Sequence, residues 1–134
     1  MRVMKNTFLF LPLFFTILFS MPAISQDTAG TAISSKKFER KIKKNNAVVL
    51  DVRTLAEHNE SCIPESINYN VLDSLKFVNS VQSLDKNKKY FLYCKAGRRS
   101  GKALVMMKNM GFENVFHLAG GITAWQGEKV VPKK

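Results

Sequence analysis

A thiol, a glycine and several cations share one short stretch of the chain, Cys94-Lys95-Ala96-Gly97-Arg98-Arg99-Ser100, with Lys102 just beyond. A cysteine attacks other atoms as a thiolate, and the thiolate is favoured beside cations and at a helix N-terminus. Both conditions are expected here. Before Cys94 runs Tyr90-Phe91-Leu92-Tyr93, an apolar strand-forming sequence. After Ser100, Ala103, Leu104, Met107 and Met110 recur at helical spacing until Gly111, a residue suited to the C′ position. The methionines read as core filling, because they lie on the face that must pack on a sheet. The thiol thus sits between a strand and a helix. In an open parallel sheet, ligands bind beyond the carboxyl ends of the strands, where a helix start offers unpaired N–H groups to an anion. Gly97 can adopt a positive φ without steric cost, which lets the amides of the turn converge on one point.

Spacing bears on the cargo. A cysteine, five residues and then an arginine would frame a phosphate-sized cradle, as in protein tyrosine phosphatases. Only four residues separate Cys94 from Arg99, so the ring of amides is smaller and suits a sulfur atom carried on the cysteine better than a phosphoryl group. Two other uses of the same residues stay open: a thiol redox or peroxide-handling protein that uses Cys94 without sulfur transfer, and a binding module that recognises an anion or a partner through its basic loop.

The remaining elements must hold this loop. Ala47 to Val52 is a continuous β-branched run of the kind buried on both faces of a parallel sheet, and it contains Asp51. A carboxylate there is costly unless paired or bonded to backbone donors. Asp51 is therefore expected to orient a cation or nearby loop amides, the alternative being that it caps the next helix. Thr54 to Asn59 is helix-like, with Glu57 and His58 placed on its exposed side, and no second ligand stands at a metal-binding distance from His58. Ser34 or Ser35 can cap a basic helix, Lys36 to Lys44, with Phe38 and Ile42 on one face. Past Pro64, the residues Ile67, Tyr69 and Val71 alternate as in a second strand. Asp73 or Ser74 then caps a helix with Leu75, Val78, Val81 and Gln82 at helical spacing. Val115 to Leu118 gives a last strand, Gly120-Gly121 a turn, and Ile122 to Gln126 a short helix with Trp125. The repeated strand-then-helix order predicts an α/β fold with a mostly parallel central sheet of four or five strands, helices on both faces and right-handed crossovers.

Length and charge set the bounds. The 134 residues suffice for one domain once a leader is subtracted. Residues 1–25 read as that leader: Arg2 and Lys5 are a basic start, Phe8 to Phe19 is almost wholly apolar, and Ala23-Ile24-Ser25 is a small-x-small cleavage site. An uncleaved anchor is the competing reading. Residues 26–33 read as a flexible lead-in, 34–130 as the domain, and 131–134 as a basic tail. Arg2 and Lys5 are two of 21 basic residues, so 19 remain against 10 acidic and the mature charge is +9. That charge favours anionic ligands. No nucleic-acid-binding module signature accompanies it, and nucleic acid is not expected as a partner.

The loop Cys94-Lys95-Ala96-Gly97-Arg98-Arg99-Ser100 resembles the C-x-x-G-x-R-S active-site loop of single-domain rhodaneses, the thiosulfate sulfurtransferase family. Three more segments resemble that family's pattern in order. They are Leu50-Asp51-Val52-Arg53 (D-x-R), Cys62-Ile63-Pro64-Glu65-Ser66-Ile67-Asn68 (H-I-P-G-A-x-N) and Leu118-Ala119-Gly120-Gly121-Ile122 with Trp125 (L-x-G-G-x-x-x-W). The resemblance implies a three-layer sandwich and a mechanism. Cys94 attacks the outer sulfur of thiosulfate or a similar donor, holds it as a persulfide and passes it to a thiol or cyanide. Amides of residues 95 to 99 stabilise the anionic sulfur. Arg99, with Arg98 as second choice, binds the donor's sulfonate, and Asp51, with Arg53, steadies the loop. No metal or organic cofactor is implied. The overall expectation is an exported, monomeric protein of a bacterial periplasm, free of the membrane after cleavage of the leader.

The chain departs from the pattern at Cys62, where the family has histidine, and at Glu65-Ser66, where it has Gly-Ala. Two cysteines in an exported protein invite a disulfide. Cys62 precedes a strand and is therefore expected at the edge opposite Cys94. A five-residue strand spans about 16 Å, and a disulfide tolerates about 4.4 to 6.8 Å between Cα atoms. The two cysteines are predicted to be unbonded.

Overall fold

A computed structural model describes residues 31–133. The leader, most of the lead-in and Lys134 lie outside the described residues. Ten elements follow one another: β1 (Ala32–Ile33), α1 (Ser35–Ile42), β2 (Ala47–Asp51), α2 (Leu55–Glu60), β3 (Ile67–Asn68), α3 (Ser74–Val81), β4 (Lys89–Tyr93), α4 (Arg98–Asn109), β5 (Val115–Leu118) and a 3-10 turn, Gly121–Ala124. The five strands form one parallel sheet in the order β1-β5-β4-β2-β3. The α/β class and the parallel sheet are as the sequence predicts.

Side-chain alternation along β4 divides the core in two. Tyr90 and Leu92 join Leu50, Val52, Phe77, Val81, Leu104, Met107 and Val115 on the face covered by α3 and α4. Phe91 and Tyr93 join Phe38, Val49, Ile63, Leu118, Ile122 and Trp125 on the face covered by α1 and the 3-10 turn. Phe38 meets Phe91 and Trp125 edge-on, with ring centroids 5.6 and 5.7 Å apart, an arrangement aromatic quadrupoles favour. Cys94 continues the 90, 92 alternation and lies on the α4 side. Asp51 and Tyr93, opposite each other in register, share the other face.

Caps set the helix starts where the sequence has short polar residues. The Ser34 side chain accepts the N–H of Lys37, Asp73 that of Lys76, and Thr54 with Glu57 forms a reciprocal capping box. Three expectations need correction. The lead-in ends in strand rather than coil, because His117 N–H and Ala119 N–H reach back to Thr31 O and Ile33 O; a two-residue strand held by its neighbour leaves no compositional trace. The second strand shrinks to Ile67–Asn68, although Tyr69 N–H and Val71 N–H still bond to Asp51 O and Val52 O. In α3 the buried pair is Phe77 and Val81, and Leu75 is 81% exposed. Phe77 and Val81 are four apart on one face, so Phe77 takes the core position expected of Leu75.

Phe77→Ala is expected to lower unfolding free energy by about 3–5 kcal/mol in urea titrations, whereas Leu75→Ala changes it by less than about 0.5 kcal/mol. Equal losses would contradict the orientation of α3.

Candidate active site

The strand β4 delivers Cys94 to the middle of the carboxyl edge of the sheet, and the chain turns at once into α4. Gly97, at φ 101°, makes the turn in the left-handed region that glycine tolerates. Gly97 N–H then points back at Cys94 Sγ at 3.0 Å. The Ser100 hydroxyl lies 3.5 Å from the same sulfur. From the other side the 3-10 turn clamps the loop. Ile122 N–H donates to Cys94 O, and Thr123 N–H and Oγ1 donate to Lys95 O. A side chain at Gly121 would overlap this backbone, its Cβ falling 2.4 Å from the Lys95 carbonyl and 2.5 Å from Cys94 O. The glycine pair before Trp125 is thus a condition for the loop's closure.

Cys94 is 1% exposed, and burial alone would push its pKa up. The Ser100 hydroxyl and the N–H groups of Ser100, Gly97 and Ala96 outweigh that effect, and the thiol lies below its ordinary value. The start of the 12-residue α4 adds its positive end at the same place. The cradle thereby favours the thiolate form of Cys94.

The predicted site residues divide into those that meet the sulfur and those that hold the frame. Ala96, Gly97 and Ser100 surround the sulfur. Lys95 and Arg98 are exposed beside it. Arg99, expected to receive a sulfonate, instead makes a two-pronged ion pair with Glu57, Nη1 to Oε2 at 2.7 Å and Nη2 to Oε1 at 2.8 Å. Glu57 is therefore partly buried and paired, not a free exposed side chain. Its carboxyl is pulled down to about 2, first by the Arg99 hydrogen bonds. In turn the Glu57 contact raises Arg99.

Asp51 does orient a cation, but it does not touch the loop. Its Oδ1 accepts Arg53 N–H and Nε–H, and its Oδ2 meets Arg53 Nη2 at 2.6 Å, His58 Nδ1 at 2.9 Å and the Tyr93 hydroxyl at 2.8 Å. The reason is the face: Asp51 projects on the α1 side and Cys94 on the α4 side. Its support is indirect, through the ends of β2 and β4. His58, placed on the exposed side of its helix by the sequence, is buried against this carboxylate. Arg53 also donates to Ser61 O at 2.7 Å and lies over the Tyr93 ring. Burial, reinforced by Asp51, holds the Tyr93 hydroxyl protonated.

Cys62 and Cys94 are both free, as predicted. The premise of that prediction was wrong. Ser61 O is tied to Arg53, so Cys62 begins near the carboxyl end of β2 and not at the opposite edge. It is held instead by an antiparallel bridge to Val130, and burial raises its pKa. Tyr93 fixes the next stretch by accepting Ile63 N–H and meeting Ser66 Oγ. Among the described residues, no three His, Cys, Asp or Glu side chains gather as a metal would require.

Two residues at the site carry no functional signal of their own in the sequence. Glu57 is visible in T-x-x-E as a capping residue, but its partner is 42 positions away. His117 lies 3.0 Å from Ser100 Oγ through Nδ1. Its two-residue offset from the inward-facing Val115 placed it on the α4 face and could have revealed it.

A parallel α/β sheet whose central strand ends in an amide-cradled thiol, backed by a glycine turn, defines a rhodanese-like domain. The chain belongs to that family: the profile of the rhodanese-like domain matches residues 34–128. A rhodanese-related protein from Thermoplasma volcanium superposes with a TM-score of 0.65 at 28% identity, covering 75% of this chain and 98% of that one. A rhodanese-like domain protein from Staphylococcus aureus shares the fold, with a TM-score of 0.66 at 24% identity over 77% of this chain and 99% of its own. Among curated proteins, the tRNA uridine(34) hydroxylase of Pelagibacter ubique is 33% identical over 98 residues, 73% of this chain and 33% of that protein. That of Prochlorococcus marinus is 34% identical over 103 residues, again 33% of its length. The chain thus spans about a third of these relatives.

The depressed Glu57 carboxyl makes the Arg99 pair pH-dependent in a defined direction. Its folded-state pKa of about 2 lies below the ordinary 4.5, so the stabilisation is complete above pH 4.5 and disappears as pH falls toward 2. Glu57→Gln is expected to flatten that acid limb and to cost on the order of 1 kcal/mol at pH 7, as read by chemical denaturation across pH. An unchanged acid limb would contradict the pairing.

Proposed function

We propose that the protein is a sulfurtransferase that moves sulfane sulfur from thiosulfate or a similar anionic donor through a Cys94 persulfide to a thiol or cyanide acceptor. The observation that carries this reading is the Gly97 N–H at 3.0 Å from Cys94 Sγ, within a cradle that favours the sulfur anion. The Cys94 thiolate attacks the outer sulfur of thiosulfate. A sulfur–sulfur bond forms to Cys94, the bond to the sulfonate sulfur breaks, and sulfite leaves with the electron pair. The acceptor thiolate or cyanide then takes the outer sulfur, and Cys94 departs again as thiolate. The persulfide anion occupies the region the amides serve, where preorganised donors act without reorganisation. Since the Arg99 guanidinium is engaged by Glu57, the donor's sulfonate falls to the exposed Arg98 and Lys95. No metal or organic cofactor enters. The reading includes export through a leader at residues 1–25.

A second reading takes a tRNA to be the molecule the protein acts on. It is favoured by the names of the curated relatives and by the excess of basic over acidic residues, which stays at +9 without Arg2 and Lys5.

Incubation with thiosulfate is expected to add one sulfur to the intact mass of wild type, removed again by cyanide or a thiol, and to add none to Cys94→Ser. Identical behaviour of the two proteins would overturn the proposal. Rapid thiol oxidation without a persulfide would assign Cys94 to redox chemistry instead. Binding of tRNA by the wild-type protein together with no persulfide would decide for the second reading.

A further inference from the structure

The carboxyl edge of the sheet carries an apolar surface that the sulfur chemistry leaves unused. Three leucines stand out from it: Leu55 is 60% exposed, Leu72 63% and Leu75 81%. Leu55 opens α2, Leu72 follows β3, and Leu75 lies in the first turn of α3. A hollow of about 290 Å³ lies between Leu55 and the start of α3, with Asn70, Asp73, Lys76 and Phe77 around it. The strands are parallel, so β2, β3 and β4 all end on this edge. At about 4.8 Å per strand, the ends of β2 and β3 lie about 5 and 10 Å to one side of Cys94. The start of α3 is on the face to which the thiol points. On the other side of Cys94 the exposed residues are small, Ala119, Gly120, Thr123 and Ala124. A single exposed leucine is ordinary; three on one edge beside a reactive sulfur form a patch of the kind that binds a partner. Its charge is one-sided. Within residues 53–57, 70–76 and 95–99, Arg53 is held by Asp51 and Arg99 by Glu57, which leaves Lys76, Lys95 and Arg98 against Asp73.

We infer that this surface seats the sulfur acceptor, and that the acceptor is a cysteine in a protein segment whose neighbouring side chains are apolar and acidic. The inference rests on the sulfur-transfer reading and names its acceptor class. Whatever takes the sulfur must come to the edge where Cys94 ends β4. Cyanide or a small thiol gains nothing from the leucines there, whereas a protein segment covers them and removes apolar surface from water. Its acidic side chains meet Lys76, Lys95 and Arg98, the last two being free once sulfite has left. RNA fits less well. Its unpaired bases stack on aromatic side chains, and the large apolar side chains exposed among the described residues are leucine, isoleucine and valine. In the transfer, the segment's cysteine thiolate attacks the outer sulfur of the Cys94 persulfide. A sulfur–sulfur bond forms to the segment, the bond to Cys94 breaks, and Cys94 leaves with the electron pair as thiolate. The segment carries the persulfide away, with no oxidant or reductant consumed.

The test uses the intact protein, loaded with thiosulfate, and synthetic peptides of equal length with one cysteine each. In the first peptide leucines and aspartates flank the cysteine, in the second serines replace the leucines, and in the third lysines replace the aspartates. Transfer to the first is expected to have a kcat/KM about tenfold above that to the second. Tenfold is about 1.4 kcal/mol, which the burial of about 55 Å² of apolar surface supplies. Compared per thiolate, the third peptide is expected to be slower than the first, by a margin that shrinks in added salt. The combined variant Leu55→Ser, Leu72→Ser, Leu75→Ser is expected to lose the preference for leucine and to keep its turnover with cyanide, which shows that the fold and Cys94 are intact. No preference in wild type, or the same preference in the variant, would overturn the docking surface while a normal persulfide and cyanide turnover left the sulfur-transfer reading standing. Binding to anionic lipid vesicles that the variant loses, with no preference among peptides, would assign the leucines to a membrane and overturn it as well. Absence of any persulfide would overturn both readings.

Discussion

The hydrogen bond from Gly97 N–H to Cys94 Sγ is the contact on which the rest of the structure depends. A buried thiol is ordinarily a poor nucleophile, because burial raises its pKa. Here the backbone amides reverse that, and they can do so only if the chain turns sharply between β4 and α4. The turn needs Gly97 in the left-handed region, α4 must begin at Arg98, and the 3-10 turn must close on the carbonyls of Cys94 and Lys95. Each of these conditions lies in a different part of the chain. Together they explain why the segment ending in Gly120-Gly121 matters to a site it does not itself contain.

Charge is arranged in two separate layers. On the α4 face the sulfur is met by amides, a hydroxyl and, at the rim, exposed Lys95 and Arg98. Arg99 is neutralised by Glu57, so it secures the loop to α2 more than it adds charge to the rim. On the opposite face the Asp51 carboxylate gathers Arg53, His58 and Tyr93. A buried carboxylate with that many donors is fully satisfied, and removing any one partner leaves the charge short of compensation. This cluster joins the ends of β2 and β4, the two strands that place Asp51 and Cys94 side by side on opposite surfaces of the sheet.

Much of the site was legible because its signal is local. The apolar run before Cys94, the glycine three residues later and the helical spacing after Ser100 are properties of one continuous stretch. Their meaning does not depend on distant partners. What escaped the sequence is what the sheet brings together. Glu57 and His58 looked like the polar side of a short helix, and no periodicity tells that Arg99 and Asp51 wait above and below it. His117 sits in a four-residue strand whose neighbours decide which face it takes. Ala32 and Ile33 become a strand only because β5 offers an open edge. The prediction about Cys62 reached the right outcome from a wrong position, since Arg53 draws Ser61 toward the carboxyl edge.

The account turns on whether the cradle makes Cys94 a thiolate. The direct measurement is the thiolate absorbance of the folded protein as a function of pH, in a Cys62→Ala background so that one thiol remains. The account predicts a single titration with a midpoint below that of a free cysteine, about 8.5, which moves upward when the protein is unfolded. A midpoint at or above the free value in the folded protein would contradict it.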